Sequence, residues 1–478
     1  MKELELLDLA KCATVSDIVA AMARCSFGAR MLGETAATLT AWIASGNAPL
    51  CIYDGRSGTP LGQLLQSMIR RKWLIGMMTP REYEATIAPG GKMLVVGAFS
   101  ERHEAALFER PGQAIYINPY DLARPGQVRD GWYPDAVFSD PRFVMPVLNL
   151  VLEERLGSKQ AKVEQLVEDL AGYGGLAAEV AAGAKTFKAM VADPQCFVFF
   201  TVSGAMTIAK MGLLICDMID HGMIHAMAST GALMAHGLVE SVGLKHYKYD
   251  PALDDEALAT ARLNRVTDTL EPETNLDHIE GVLDAILNPL EAGQPFSPVI
   301  LNRLVGEHLN RKHPNDRGIL KSAFLKNVPV MVPAFVDSEI GNDVHVHNRK
   351  RERSGRRQLV MDMELDTRLL VDLATGKRGF QRAGIVTIGG GVPRNNIQNV
   401  APLVEIMNER LGTELPDCKF RYGCRICPDR MHYGHLSGCT YSEGMSWRKM
   451  DPHGMFAEVH ADATQVWPFY VKYALETT

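Results

Sequence analysis

From residue 197 onward, short apolar runs alternate with stretches of helical period, the signature of a layered α/β domain. FVFFT at 197–201 is almost wholly apolar, as a strand covered on both faces must be. Ser203-Gly204 breaks the run, and apolar residues at helical spacing predict a helix over about 207–221. HAMAS at 225–229 is the next strand, closed by Thr230-Gly231 and followed by a helix to about residue 242. NVPVMVPAF (327–335), GIVTIGGG (384–391) and a run near 457–461 supply later strands. Strands separated by helices of this length pair in parallel through right-handed crossovers. The expected fold class is α/β: a doubly wound parallel sheet, Rossmann-like, with its ligand at the strand carboxyl ends.

The N-terminal third repeats that order of elements more faintly. A helix at 27–45 leads to PLCIYDGRSGTP, a strand ending in Ser-Gly, then to a helix, an apolar run and Thr79. Gly58 precedes Gly204 by 146 residues, and Met68 precedes Met218 by 150. Any two βα units share such a pattern, so the region is either a degenerate copy of the core unit or an unrelated α/β piece. KMLVVGAF (92–99) and QAIYINPY (113–120) read as its further strands. Residues 121–142, rich in Pro, Gly and Asp, read as a linker or long loop. Two domains are expected, an N-terminal α/β region over 1–165 and a nucleotide-binding one over 166–478.

Composition narrows the function classes. The chain is 46% hydrophobic and 22% charged, as an ordinary globular enzyme is. With 50 Lys+Arg against 56 Asp+Glu its net charge is −6, which argues against nucleic acid as a partner and suits a cationic substrate. There are nine cysteines, and the opening MKELELLDLAKCATV lacks the basic start and apolar core of a signal peptide. No run approaches the roughly 18 apolar residues of a membrane span. A reducing, cytoplasmic location with free thiols and no membrane partner is expected.

Four constellations carry candidate chemistry. Lys449 follows Trp447 and Arg448, and a lysine becomes a nucleophile only where desolvation or a neighbouring cation strips its proton. Gly389, Gly390 and Gly391 directly follow a strand, where absent side chains and a helix N-terminus suit a phosphate or a dinucleotide, or simply a tight turn. His345 and His347, read as one face of a strand, form with Asp343 a possible metal triad. Cys418, Cys424, Cys427, His432, His435 and Cys439 include a CxxC pair and are the rival signal, for zinc.

Taken together, these segments resemble the deoxyhypusine synthase family. The resemblance runs in order through VFFTVSGAMTIAKMGLLICDMIDHGMIHAMASTGALMAHGLVE, VPVMVPAFVDSEIGNDVHVH, GIVTIGGGVPRNNIQNV, SGCTYSEGMSWRKM and HADATQVWP, over about residues 185–478. It implies an NAD-dependent transfer of an aminobutyl group from spermidine, or a related polyamine, to an acceptor amine through a Schiff base on Lys449. Trp447 falls on the pocket tryptophan, and Glu443, Asn342, Asn395 and His236 are the candidates for holding substrate. NAD contacts fall on Ser203, Thr230, Gly231, Asp337, Gly341, Gly389, Gly390, Ser437, Asp462 and Ala463, with no metal. The acceptor is either a protein lysine or putrescine, the latter giving homospermidine. A third reading is a non-catalytic or zinc-binding homologue. Members of the family are tetramers with sites at subunit interfaces, which implies a homo-oligomer, dimer or tetramer.

The departures are specific. Asn395 stands where the family has its active-site histidine, Met234 to His236 where it has paired glutamates, and Asn342 and Leu436 where it has aspartates. Residues 46–180 have no counterpart in the standard family chain, and 23–45 are expected to match its leading helix.

Overall fold

Residues 1–85, 91–97, 112–118, 135–157, 159–376 and 379–477 are described by the structure, a computed structural model. Five upstream strands, β1 (Leu50–Tyr53), β2 (Gly76–Met78), β3 (Met93–Val96), β4 (Ala114–Asn118) and β5 (Ala136–Phe138), pair in parallel in the order β2-β1-β3-β4-β5. Downstream come β6 (Cys196–Val202), β7 (Ala226–Ser229), β8 (Tyr247–Lys248), β9 (Leu263–Val266), β10 (Thr269–Pro272), β11 (Val330–Met331), β12 (Arg382–Ile388), β13 (Phe420–Ile426) and β14 (Met450–Val459). Six of these form a second parallel sheet, β11-β7-β6-β12-β13-β14, and β8-β10-β9 form a small antiparallel one. Counted by its own strands the six-stranded sheet runs 3-2-1-4-5-6, the order of doubly wound dinucleotide-binding sheets, whose strand order reverses beside the first strand.

Local chemistry explains the elements. All seven residues of β6 are buried, because helices cover both faces of the sheet. Eight helices matter below: α1 (Phe27–Ala44), α2 (Pro141–Arg155), α3 (Gly175–Val191), α4 (Gly231–Ser241), α5 (Glu339–Arg353), α6 (Gly391–Gln398), α7 (Tyr441–Ser446) and α8 (Ala463–Thr477). Thr230 caps α4 and Ser338 caps α5, each hydroxyl accepting an amide N–H from the first turn. Thr440 does the same for α7.

Several expectations change. The helix expected from 207 starts at Gly212, after Lys210 takes a left-handed turn at φ 71°. Of 327–335 only Val330–Met331 pairs as a strand, because Pro329 and Pro333 on either side offer no N–H to a ladder. The last strand begins at Met450, well before 457. His345 and His347 lie on α5 and not on a strand: the Ser338 cap starts a helix, and residues two apart then point to different faces. His347 is buried against Asp284 at 2.7 Å while His345 is exposed, so no triad with Asp343 forms. Of the expected linker, 136–138 is strand β5 and α2 begins at Pro141, while 121–134 lies outside the described residues. Among the described residues no helix is long and apolar enough to cross a membrane.

Candidate active site

Strands β6, β12 and β13 end side by side, and the loops leaving them make the site. At the end of β12, Gly389 (φ 77°) turns the chain so that the Gly390 amide donates to Ser203 Oγ at 3.0 Å. A Cβ on Gly390 would sit 2.6 Å from Ser437 Cα, so only glycine lets this loop pass. Above Gly204 and Gly391 a Cβ would meet nothing within 4 Å. Gly204 and Gly391 therefore face open, side-chain-free space beside the N-terminus of α6, while Gly389 and Gly390 pack against Ser203 and Ser437 at its edge. That space fits the pyrophosphate of a dinucleotide, an anion that helix N-termini favour.

Next to it lies a cleft of about 560 Å³ lined by Arg394, Asn395, Cys439, Glu443, Trp447 and Lys449, among others. The cap on α7 fixes Glu443 and the turn that ends at Trp447. Lys449 Nζ donates to Asn395 Oδ1 at 3.0 Å and sits 5.8 Å from the Trp447 ring centre. Burial lowers the Lys449 pKa from its ordinary value, and the Arg394 charge lowers it further, against Cys439 and Glu443. Glu443 is the only carboxylate among the described lining residues.

Arg394 carried no signal in the sequence beyond its place in the first turn after the triple glycine. It is buried, stacks 4.9 Å above the Tyr441 ring and donates through Nη1 to Cys439 O at 2.5 Å. Its Nε and Nη2 find no acceptor, and among the described residues no carboxylate neutralises it. A fixed cation this close favours the neutral form of Lys449. Arg394→Met is expected to slow labelling of Lys449 by an amine-selective acylating reagent at pH 7.5, because one of the influences that lower its pKa is removed. Arg394→Lys should restore most of it, and peptide mass spectrometry reads the rate.

Other expected residues sit elsewhere. Thr230 and Gly231 start α4, where a Cβ on Gly231 would lie 2.2 Å from Ser338 Oγ at the cap of α5. Gly341 packs as tightly on Phe335 O, while Asp337 and Asn342 are exposed on that segment. None of these lines the lysine cleft. His236 does not either: its Nδ1 lies 2.6 Å from Glu271, which also accepts from His246 Nε2 at 3.1 Å. His236, His246 and Glu271 have metal-ligand spacing, but Lys210 Nζ is 2.7 Å from His246 Nδ1. That contact fixes the tautomer with Nε2–H aimed at Glu271, so a proton fills the ion's place. Asp462 accepts from Thr464 N and Oγ1, both at 2.8 Å, and starts α8 with Ala463 beside it. In the cysteine segment, the Cys424 thiol is buried against Gly183 O and pushed up to about 12 by burial, while His432 and His435 are exposed on another loop, from which His435 lines the lysine cleft.

A parallel sheet of this order, with glycine-cleared space at its carboxyl edge and a half-buried lysine beside it, defines an α/β protein of the doubly wound class. The family is equally definite. The deoxyhypusine synthase family model matches residues 165–474, and the chain belongs to that family. Probable deoxyhypusine synthase 2 of Methanosarcina acetivorans is 30% identical over 312 residues, 65% of this chain and 86% of that one. Probable deoxyhypusine synthase 1 of Archaeoglobus fulgidus is 29% identical over 66% of this chain and 94% of its own. The deoxyhypusine synthase-like protein of Elusimicrobium minutum is 29% identical, over 66% and 81% respectively. The match begins at 165, within the helix Val163–Leu170, and does not include the helix at 27–45.

Proposed function

We propose that this chain is an NAD-dependent aminobutyl transferase that uses Lys449 as the covalent carrier. The observation that carries the reading is Lys449 itself: half-buried, held by a neutral amide, beside an unneutralised guanidinium and next to the glycine-cleared cradle. Bound NAD would supply hydride-accepting chemistry at the carbon beside the secondary amine of spermidine or a related polyamine, and, once reduced, hydride for the product imine. Ser203, Gly389, Gly390 and Ser437 would hold its pyrophosphate side, Thr230, Gly231, Asp337 and Gly341 the adjoining edge, and Asp462 and Ala463 the far end.

The chain's own residues do the rest. The neutral Lys449 amine attacks the oxidised carbon, the C–N bond to the departing diaminopropane breaks, and the aminobutyl group stays on Nζ as a Schiff base. A second primary amine, on a protein lysine or on putrescine, then displaces Lys449 from that carbon. Trp447 packs on the cationic alkyl chain and Glu443 pairs with one ammonium end. Asn395 accepts from Nζ in either protonation state but cannot itself take up a proton, which leaves Glu443, His435 and water in the open cleft as the proton acceptors.

Exposed apolar residues line the cleft: Met431, Leu436 and Trp447, the last 61% exposed. Such a lining supports the association of chains at the site that the family resemblance implies.

Incubation with NAD and a panel of polyamines should raise absorbance at the NADH wavelength, and borohydride should then fix an aminobutyl adduct on Lys449, found by peptide mass spectrometry. No adduct and no NADH with any polyamine would sink the reading. Product analysis with and without putrescine separates the two acceptors.

A further inference from the structure

Removing the short third strand, β11, from the downstream order 3-2-1-4-5-6 leaves 2-1-3-4-5, the order of the upstream sheet. The flanking helices agree in register. The eight-residue helices Val15–Met22 and Val163–Leu170 start 148 residues apart, as do α1 and α3. Each unit's last helix follows an aspartate that accepts the amide N–H two residues on, Asp140 from Arg142 and Asp462 from Thr464. Each of these helices also carries a proline at its sixth position, Pro146 in α2 and Pro468 in α8. Unrelated βα units share an order of elements, but an interior helix proline is costly and does not recur in register by chance.

The contacts between the units are reciprocal. α1 packs on α8, and α3 packs on α2. At one end Ala29 N donates to Thr464 Oγ1 at 2.9 Å and Gln465 Nε2 donates to Gly28 O at 3.2 Å. A Cβ on Gly28 there would lie 2.1 Å from an Asp462 oxygen. At the other end a Cβ on Gly175 would lie 2.1 Å from the Arg142 guanidinium carbon. The two eight-residue helices keep the same symmetry, each packing on its own leading helix and on the last helices of both units. Two surfaces that meet in this exchanged fashion make the isologous interface of a two-fold pair. The copies are not chemically equal. Lys449 lies between β13 and β14, whereas the corresponding stretch between β4 and β5, residues 119–135, contains no lysine.

We propose that the N-terminal unit is a lysine-less second copy of the catalytic unit, paired with it about an internal two-fold axis, and that it completes the cofactor end of the reactive cleft by holding Asp462 through Gly28. The second half of this rests on the NAD reading above. The face built from the leading and last helices is thereby used within one chain, which carries two units and one reactive lysine.

Two measurements on the full chain test it. In the first, Gly28→Cys combined with Asp462→Cys should close under mild oxidation into a disulfide within one chain, running at single-chain mass on a denaturing gel. Free thiols or a two-chain product would overturn the internal pairing. In the second, calorimetric titration with NAD should show Gly28→Ala weakened at least tenfold. Gly175→Ala, which lies against Arg142 at the other end of the interface and one residue before the position symmetric to Gly28, should bind as the wild type. Unchanged affinity in Gly28→Ala, or equal loss in both variants, would overturn the role given to the N-terminal copy. A wild-type chain that binds no NAD would refute the cofactor reading, and the disulfide measurement would still decide the pairing.

Discussion

A Lys449→Ala chain is expected to fold normally and to give no borohydride-trapped adduct, with turnover reduced at least about a thousandfold. The Lys449 side chain is half-exposed and makes one hydrogen bond, to Asn395 Oδ1, which water in the cleft can replace. Its removal should change stability by no more than about 0.5 kcal/mol, as for a typical surface position. Loss of activity without loss of fold is thus the signature of a nucleophile. Lys449→Arg sharpens the test, because a guanidinium keeps the charge and most of the packing on Trp447 but cannot be deprotonated. If charge alone mattered, Arg would retain function; if the neutral amine matters, Arg fails as completely as Ala. Adduct formation surviving in either variant would remove Lys449 from the mechanism.

What the sequence made legible follows from how local each signal is. β6 and β12 were readable because strands covered on both faces are apolar at nearly every position, and Gly389 to Gly391 because close backbone passage needs glycine whatever the tertiary context. The lysine cleft was readable by resemblance alone: SGCTYSEGMSWRKM contains nothing that distinguishes Lys449 from a solvated lysine until Arg394, 55 residues earlier, is seen beneath it. Asn395 was marked as a missing histidine, but its role as the hydrogen-bond partner of Lys449 needed coordinates. His345 and His347 misled because an alternating apolar-polar string fits a strand, while the deciding feature was the Ser338 cap seven residues upstream. His236 was a candidate for substrate because no local pattern reveals that Glu271, on the small antiparallel sheet, already holds it.

That buried network sets the last expectation, a Glu271→Gln chain destabilised by about 3–5 kcal/mol, the usual loss when one partner of a buried ion pair is removed. Glu271 is buried on β10 between His236 and His246, and Lys210 bridges His246 to Glu240 at 2.9 Å. On the same strand Thr269, with Asp268 just before it, joins Ser26, and Asp268 also pairs with Arg30, so the small sheet clamps α1 to α4. Burial alone would raise the Glu271 pKa, but hydrogen bonds from His236 and His246 win and lower it from 4.5 to about 2. Burial likewise opposes a charged His236, and Glu271 overcomes it, raising that pKa above 6.5. The signs then fix the pH window. A carboxylate whose pKa falls on folding stabilises fully above about 4.5 and loses that contribution as pH drops towards 2, about 3 kcal/mol in all. A histidine whose pKa rises on folding stabilises fully below 6.5 and loses its contribution as pH climbs through the folded value. Urea unfolding of the wild type should therefore show greatest stability between about pH 4.5 and 6.5 from this pair. Glu271→Gln should flatten both flanks while the Lys449 adduct, formed at a separate edge of the sheet, persists wherever the chain remains folded. A variant as stable as the wild type, or one whose pH profile is unchanged, would show that the network does not join the two units.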